Sequence, residues 1–151
     1  MAGTQWDRLG QKEAVFEIVA PAIRKVAGET GVKLEEFFRD DPIWRLNWAR
    51  QAGGEAAVDV EWTDEEPDTY WVSAQWWKDD YDTTLRHSRL EEVGEFYRDQ
   101  PLEELEALLR KGVATVDAWT EQELDQESGP FPDWQRYSTK DEFYRTRLPK
   151  R

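Results

Sequence analysis

WRLNWARQAGGEAAVDVEWTDEEPDTYWVSAQWW, running from Trp44 to Trp77, decides the fold. Trp44, Leu46 and Trp48 alternate with Arg45, Asn47 and Ala49, and Gln51 to Gly54 then supplies turn chemistry. Val58, Val60 and Trp62 alternate with Asp59 and Glu61. The acidic, Pro67-containing segment Thr63 to Asp68 reads as a loop, and Tyr70, Val72, Ala74 and Trp76 follow with Trp71, Ser73, Gln75 and Trp77 between them. Three period-two runs joined by short polar loops specify an antiparallel meander. A fourth strand is expected around Thr84 to Leu90.

The register sorts the side chains. If the even-numbered residues face the core, that face takes Trp44, Leu46, Trp48, Val58, Val60, Trp62, Tyr70, Val72 and Trp76. The other face is left with Arg45, Asn47, Asp59, Glu61, Trp71, Ser73, Gln75 and Trp77. A polar surface holding two indoles is the expected working surface, because tryptophan is enriched among the residues that dominate binding energy.

Outward from the sheet, Val15, Ile18, Val19, Ala22, Ile23 and Val26 recur at helical spacing, with Pro21 predicting a kink or two abutting helices. Leu34 to Arg39 reads as a further helical turn before Asp41-Pro42. After Pro101, the residues Leu102, Leu105, Leu109, Val113 and Val116 repeat the helical pattern, with Glu103 and Glu104 suiting the helix N-terminus and Gly112 a point of interruption. The expected organisation is one domain over 1–151. Residues 1–10 form an extension, 11–39 are helical, 43–90 form the sheet, 101–124 are helical and 125–151 are loop and tail. The class is α+β: a meander of three to four strands, with N- and C-terminal amphipathic helices on one face and a basic aromatic tail.

Composition narrows function by exclusion. The chain has 151 residues, 38% of them hydrophobic and 35% charged, and no cysteine. That removes disulfides, thiolate nucleophiles and cysteine-based metal sites together. No apolar run approaches the ~18 residues of a membrane span, and residues 1–10 lack the features of a secretion signal. No membrane role is expected, and the expected compartment is the cytoplasm. Twenty Lys and Arg against 33 Asp and Glu give a net charge of −13, which opposes binding to a phosphate backbone and suits a basic protein partner. The charge is uneven: Trp134 to Arg151 carries six basic and two acidic residues, a local +4 that leaves −17 on residues 1–133. Trp134, Tyr137, Phe143, Tyr144 and Leu148 make this tail too apolar to dangle.

Candidate chemistry is sparse. His87 is the sole histidine, which excludes two-histidine metal sites, and no nucleophile elbow or glycine-rich phosphate loop accompanies it. Asp79, Asp80 and Asp82 cluster without the spacing of a calcium loop and read as an acidic turn. No metal or cofactor is expected. Asp59 and Glu61 share a strand face and could supply a carboxylate pair, with His87 completing an alternative active site.

The leading expectation is a non-enzymatic protein that occludes a basic protein partner. Asp59, Glu61, Asp64, Glu65, Glu66, Asp68, Asp79, Asp80 and Asp82 would supply charge, and Trp71 and Trp77 burial. Proteins that neutralise toxins, as immunity proteins do, share this size, charge and architecture, an analogy of general character alone. The alternatives are a small enzyme or carbohydrate-binding module using the tryptophan face, and a homodimer sealed by that face and the tail.

Overall fold

A computed structural model describes residues 5–38, 42–145 and 147–151. The order of elements is α1 (Gln5–Thr30), β1 (Lys33–Phe38), β2 (Pro42–Ala49), β3 (Glu55–Trp62), β4 (Thr69–Asp79), β5 (Leu85–Tyr97), α2 (Leu102–Ala118), β6 (Asp125–Pro130) and α3 (Lys140–Tyr144). Short 3₁₀ turns occupy Glu121–Glu123 and Trp134–Arg136. The strands form one six-stranded sheet in sequential order, every neighbouring pair antiparallel. The class is α+β, and the meander has six strands where three or four were expected.

The even-numbered face is the core face, as the alternation requires. Leu46, Trp48, Val58, Val60, Tyr70, Val72 and Trp76 are fully buried, and Trp44 and Trp62 nearly so. Both long helices lie on this face. From α1, Phe16 stacks on Trp44 with ring centroids 5.3 Å apart, and the Tyr70 hydroxyl donates to the Val15 carbonyl at 2.8 Å. From α2, Leu105, Leu109, Val113 and Val116 are buried. Gly112 does not interrupt α2. A Cβ there would stand 3.0 Å from both methyls of Val58, so the glycine marks a close approach of helix to sheet. Two indoles find carbonyl acceptors, Trp62 on Pro67 and Trp76 on Gly53. The buried Nε1 atoms of Trp44 and Trp48 have no acceptor among the described residues.

Five expectations need correction. The helix α1 begins at Gln5, inside the stretch read as an extension, and runs through Pro21 without a break into two helices. Its buried stripe runs through Phe16, Val19, Ile23 and Val26, while Ile18 is 46% exposed. Residues 33–38 form β1 and not a helical turn, because Lys33 to Phe38 pair with Asn47 to Pro42 and the ladder overrides a locally helix-compatible sequence. The fourth strand continues to Tyr97. Its alternation fails after Leu90 because a bulge sets Ser73 against Glu92 but Val72 against Gly94, which turns Val93 out of phase. Finally, residues 125–151 are more than loop: Asp125–Pro130 is an edge strand on β5, wholly exposed, and Lys140–Tyr144 is a short helix capped by the Thr139 hydroxyl. Helix α2 ends at Ala118, so the helical span expected to 124 closes as a 3₁₀ turn.

The tail folds back on its own body. Phe143 sits among Tyr81, Phe131, Tyr137 and Tyr144, with ring centroids 4.8 to 5.5 Å away. Lys140 pairs with Asp82 at 2.6 Å. At the far end Lys150 bridges Ala49 of β2, and Arg151 reaches Asp117 and the Thr30 carbonyl. The tail thus crosses from β6 on one side of the sheet to β2 on the other.

Candidate functional site

The second sheet face divides into two halves along β4, centred on Trp71 and Trp77. Six residues of strand separate them, roughly 20 Å. Cross-strand pairing assigns each indole its neighbours.

Around Trp77 the charges are locked in pairs. Arg45 on β2 donates to both oxygens of Asp59 at 2.8 and 3.0 Å, and Gln75 adds a third bond to the same carboxylate at 2.8 Å. Burial works against the Arg45 charge, but the hydrogen bonds and charge of Asp59 outweigh it and hold the guanidinium above its usual pKa. Arg86 on β5 makes the same fork with Asp79 at 2.6 and 2.8 Å, which raises its pKa in spite of burial. Both guanidiniums lie over the Trp77 ring, 5.6 and 5.7 Å from its centroid, and they reach it from strands on opposite sides of β4. The ring is thus occupied by cations and offers no open platform. Glu55, paired with Trp77 across β3 and β4, has its carboxyl pushed up by burial and then by the charge of Asp79.

The tail roofs this half. Arg45, Glu55, Trp77, Asp79 and Arg86 form one wall of a half-open groove of about 1050 Å³, and Phe131, Tyr137, Phe143 and Tyr144 form the other. Lys78, ion-paired with Glu121, and His87 stand at its edge.

Around Trp71 the surface is open and acidic. Trp71 lies between Glu61 on β3 and Glu95 on β5 and is half-buried. The same face of β5 presents Tyr97, 45% exposed, next to this pair, whereas Leu90, 69% exposed, lies opposite Gln75, four residues along β4 toward Trp77. Glu65, Glu66, Asp64 and Asp68 in the β3–β4 loop, with Glu92 and Glu95 on β5, are exposed around Trp71 and Tyr97. The loop and strand meet: the Tyr97 hydroxyl donates to Glu95 at 2.6 Å, and Glu95 followed by Glu66 is among the charges that raise the tyrosine pKa.

The eleven sites expected from the sequence are therefore dispersed. Glu61, Asp64, Glu65, Glu66, Asp68 and Trp71 gather at one end. Asp59 is buried beneath Arg45 and its charge is consumed there. Asp79 is held by Arg86, Asp82 by Lys140, and Asp80 accepts the backbone N–H of Asp82, which lowers its pKa. The alternative active site is not assembled. Asp59 lies opposite Ser73, whereas His87 lies opposite Lys78, five residues and roughly 17 Å further along β4. Among the described residues no group of three or more His, Asp and Glu is placed to hold a metal ion. No described helix is long and apolar enough to cross a membrane.

Sequence reading missed Leu90, Glu92, Glu95 and Tyr97 because β5 was expected to end at Leu90. The even spacing of Arg86, Ser88 and Leu90 was the available signal for the first of them. Compared with known families, with curated proteins and with solved structures, the chain matches none.

Proposed function

We propose that this is a non-enzymatic protein that binds a basic protein partner through the Trp71 end of its second sheet face. The observation that carries the reading is the exposure of Tyr97, two residues beyond the Glu95 that pairs with Trp71, within an exposed rim of Glu65, Glu66, Glu92 and Glu95. Apolar anchors inside a charged rim are the anatomy of a protein interface, and a rim of one sign steers an oppositely charged partner. Asp59, Asp79, Asp80 and Asp82 take no part, since each is already engaged within the chain.

A toxin-neutralising role is the form of this function that best suits a small acidic body. The test is affinity capture with wild-type protein, Trp71→Ala, and the charge reversal Glu65→Lys with Glu66→Lys. One basic protein retained at stoichiometric level by wild type, lost with either variant and released by moderate salt, supports the reading. Retention indifferent to all three changes overturns it.

A further inference from the structure

We infer that the groove between the Trp77 half of the sheet and the C-terminal tail is a binding site for a neutral polyhydroxylated ligand, a saccharide of one to three rings. This site is separate from the Trp71 surface and does not rest on it.

Size is the first argument. About 1050 Å³, open on one side, is at the upper end of what small-ligand sites enclose. Charge is the second. Each of the three Lys and Arg side chains on the groove is held by its own carboxylate: Arg45 by Asp59, Arg86 by Asp79, and Lys78 by Glu121. An anion arriving there would have to compete with these carboxylates and would also face Glu55, Asp80 and Asp133 on the lining, and a cation would meet the guanidiniums. A neutral ligand meets neither cost.

The third argument is the kind of hydrogen bond on offer. Forked ion pairs fix planar groups in place and leave lone pairs on the carboxylates and N–H groups on guanidinium Nη atoms pointing elsewhere. Glu55 adds a further carboxyl to the lining, its pKa raised by burial and then by the charge of Asp79, flanked by the guanidinium of Arg86. Vicinal hydroxyls, each a donor and an acceptor, complement such a mixture. Finally, the roof supplies flat apolar surface from Tyr137, Phe143 and Tyr144 for the C–H faces of a sugar ring, in place of the Trp77 ring that the two arginines occupy.

The experiment is calorimetric titration of the full chain with maltotriose, cellotriose and triacetylchitotriose, beside N-acetyl-arginine amide as cation and citrate as anion. Saturable one-to-one binding of at least one saccharide, weakened tenfold or more by Glu55→Ala and by Tyr144→Ala and unchanged by Trp71→Ala, is expected. Circular dichroism of the variants confirms that both retain the fold, and Glu55→Gln, which keeps one donor and one acceptor, restores part of the affinity. Silence from all three saccharides at 10 mM, stronger binding of either ion, or saccharide binding that survives Glu55→Ala overturns the assignment. The same oligosaccharide tested as a soluble polysaccharide distinguishes a free sugar from a chain as the source. Loss of partner capture with saccharide binding intact would sink only the protein-binding reading.

Discussion

Arg45 and Asp59 form a two-pronged ion pair, 2.8 and 3.0 Å, in which the carboxylate is almost wholly buried and the guanidinium lies over Trp77. A residue that looks like a free surface acid in the sequence is therefore a structural element of the sheet.

Removing one partner leaves the other buried and uncompensated. Asp59→Ala should cost about 3–5 kcal/mol, and Arg45→Ala a similar amount. In the double variant the loss should be clearly less than the sum, since neither charge is stranded. Urea denaturation of the four proteins measures this, and additive losses would show that the two side chains do not act as a pair.

Trp71 and Trp76, five residues apart on β4, should respond to truncation very unequally. Trp76 is fully buried and its indole N–H donates to the Gly53 carbonyl, so Trp76→Ala should cost about 3–5 kcal/mol. Trp71→Ala on the open face should cost about 1 kcal/mol or less. Equal losses would mean that the second face is not open at Trp71.

Gly112→Ala sets propensity against space. Alanine gains about 1 kcal/mol in a helix interior, but its Cβ would meet both Val58 methyls at 3.0 Å. Helix and sheet are both fixed there by buried neighbours, so steric cost should win and net stability should fall by about 1 kcal/mol. Adding Val58→Ala should reverse the sign of the Gly112→Ala effect, which a thermodynamic cycle reads directly.

Glu55 carries a pH dependence of stability. Its folded pKa is raised, so the native state binds the proton more tightly than the unfolded chain does. Stability is then full below the unfolded pKa, falls as pH rises toward the folded pKa, and is level above it. Glu55→Gln should therefore be more stable than wild type at neutral pH and indistinguishable from it in the acid range. Melting temperatures across pH 3–8 test this, and a gap that widens toward low pH would contradict it.

The tail depends on Phe143, whose ring meets four other aromatic rings. Phe143→Ala should raise hydrogen exchange through residues 131–145 and leave β2 to β4 protected. Uniform loss of protection would instead tie the tail to the global fold.

What could be read beforehand followed local pattern. Alternation in β2, β3 and β4 assigns Trp44, Trp48, Trp62 and Trp76 to the core and Trp71 and Trp77 to the far side, because period two is fixed by strand geometry. What could not be read needed partners distant in the chain. Leu34 to Phe38 becomes a strand only because β2 lies beside it. Glu55 follows a turn and shows no sign of its groove, whose other wall comes from residues 131–144. Asp59 gives no hint in the sequence that Arg45, fourteen positions earlier, neutralises it.

The division of the second face has an electrical consequence. Exposed carboxylates gather around Trp71, while the lysine- and arginine-rich tail lies over the Trp77 half some 20 Å away. The face is consequently a dipole lying along β4. A charged body approaching from solution feels a torque before it touches anything, so this molecule is turned acid end first toward a basic surface. For the basic partner proposed above, the sheet would then set not only the place of contact but also which way round the protein arrives.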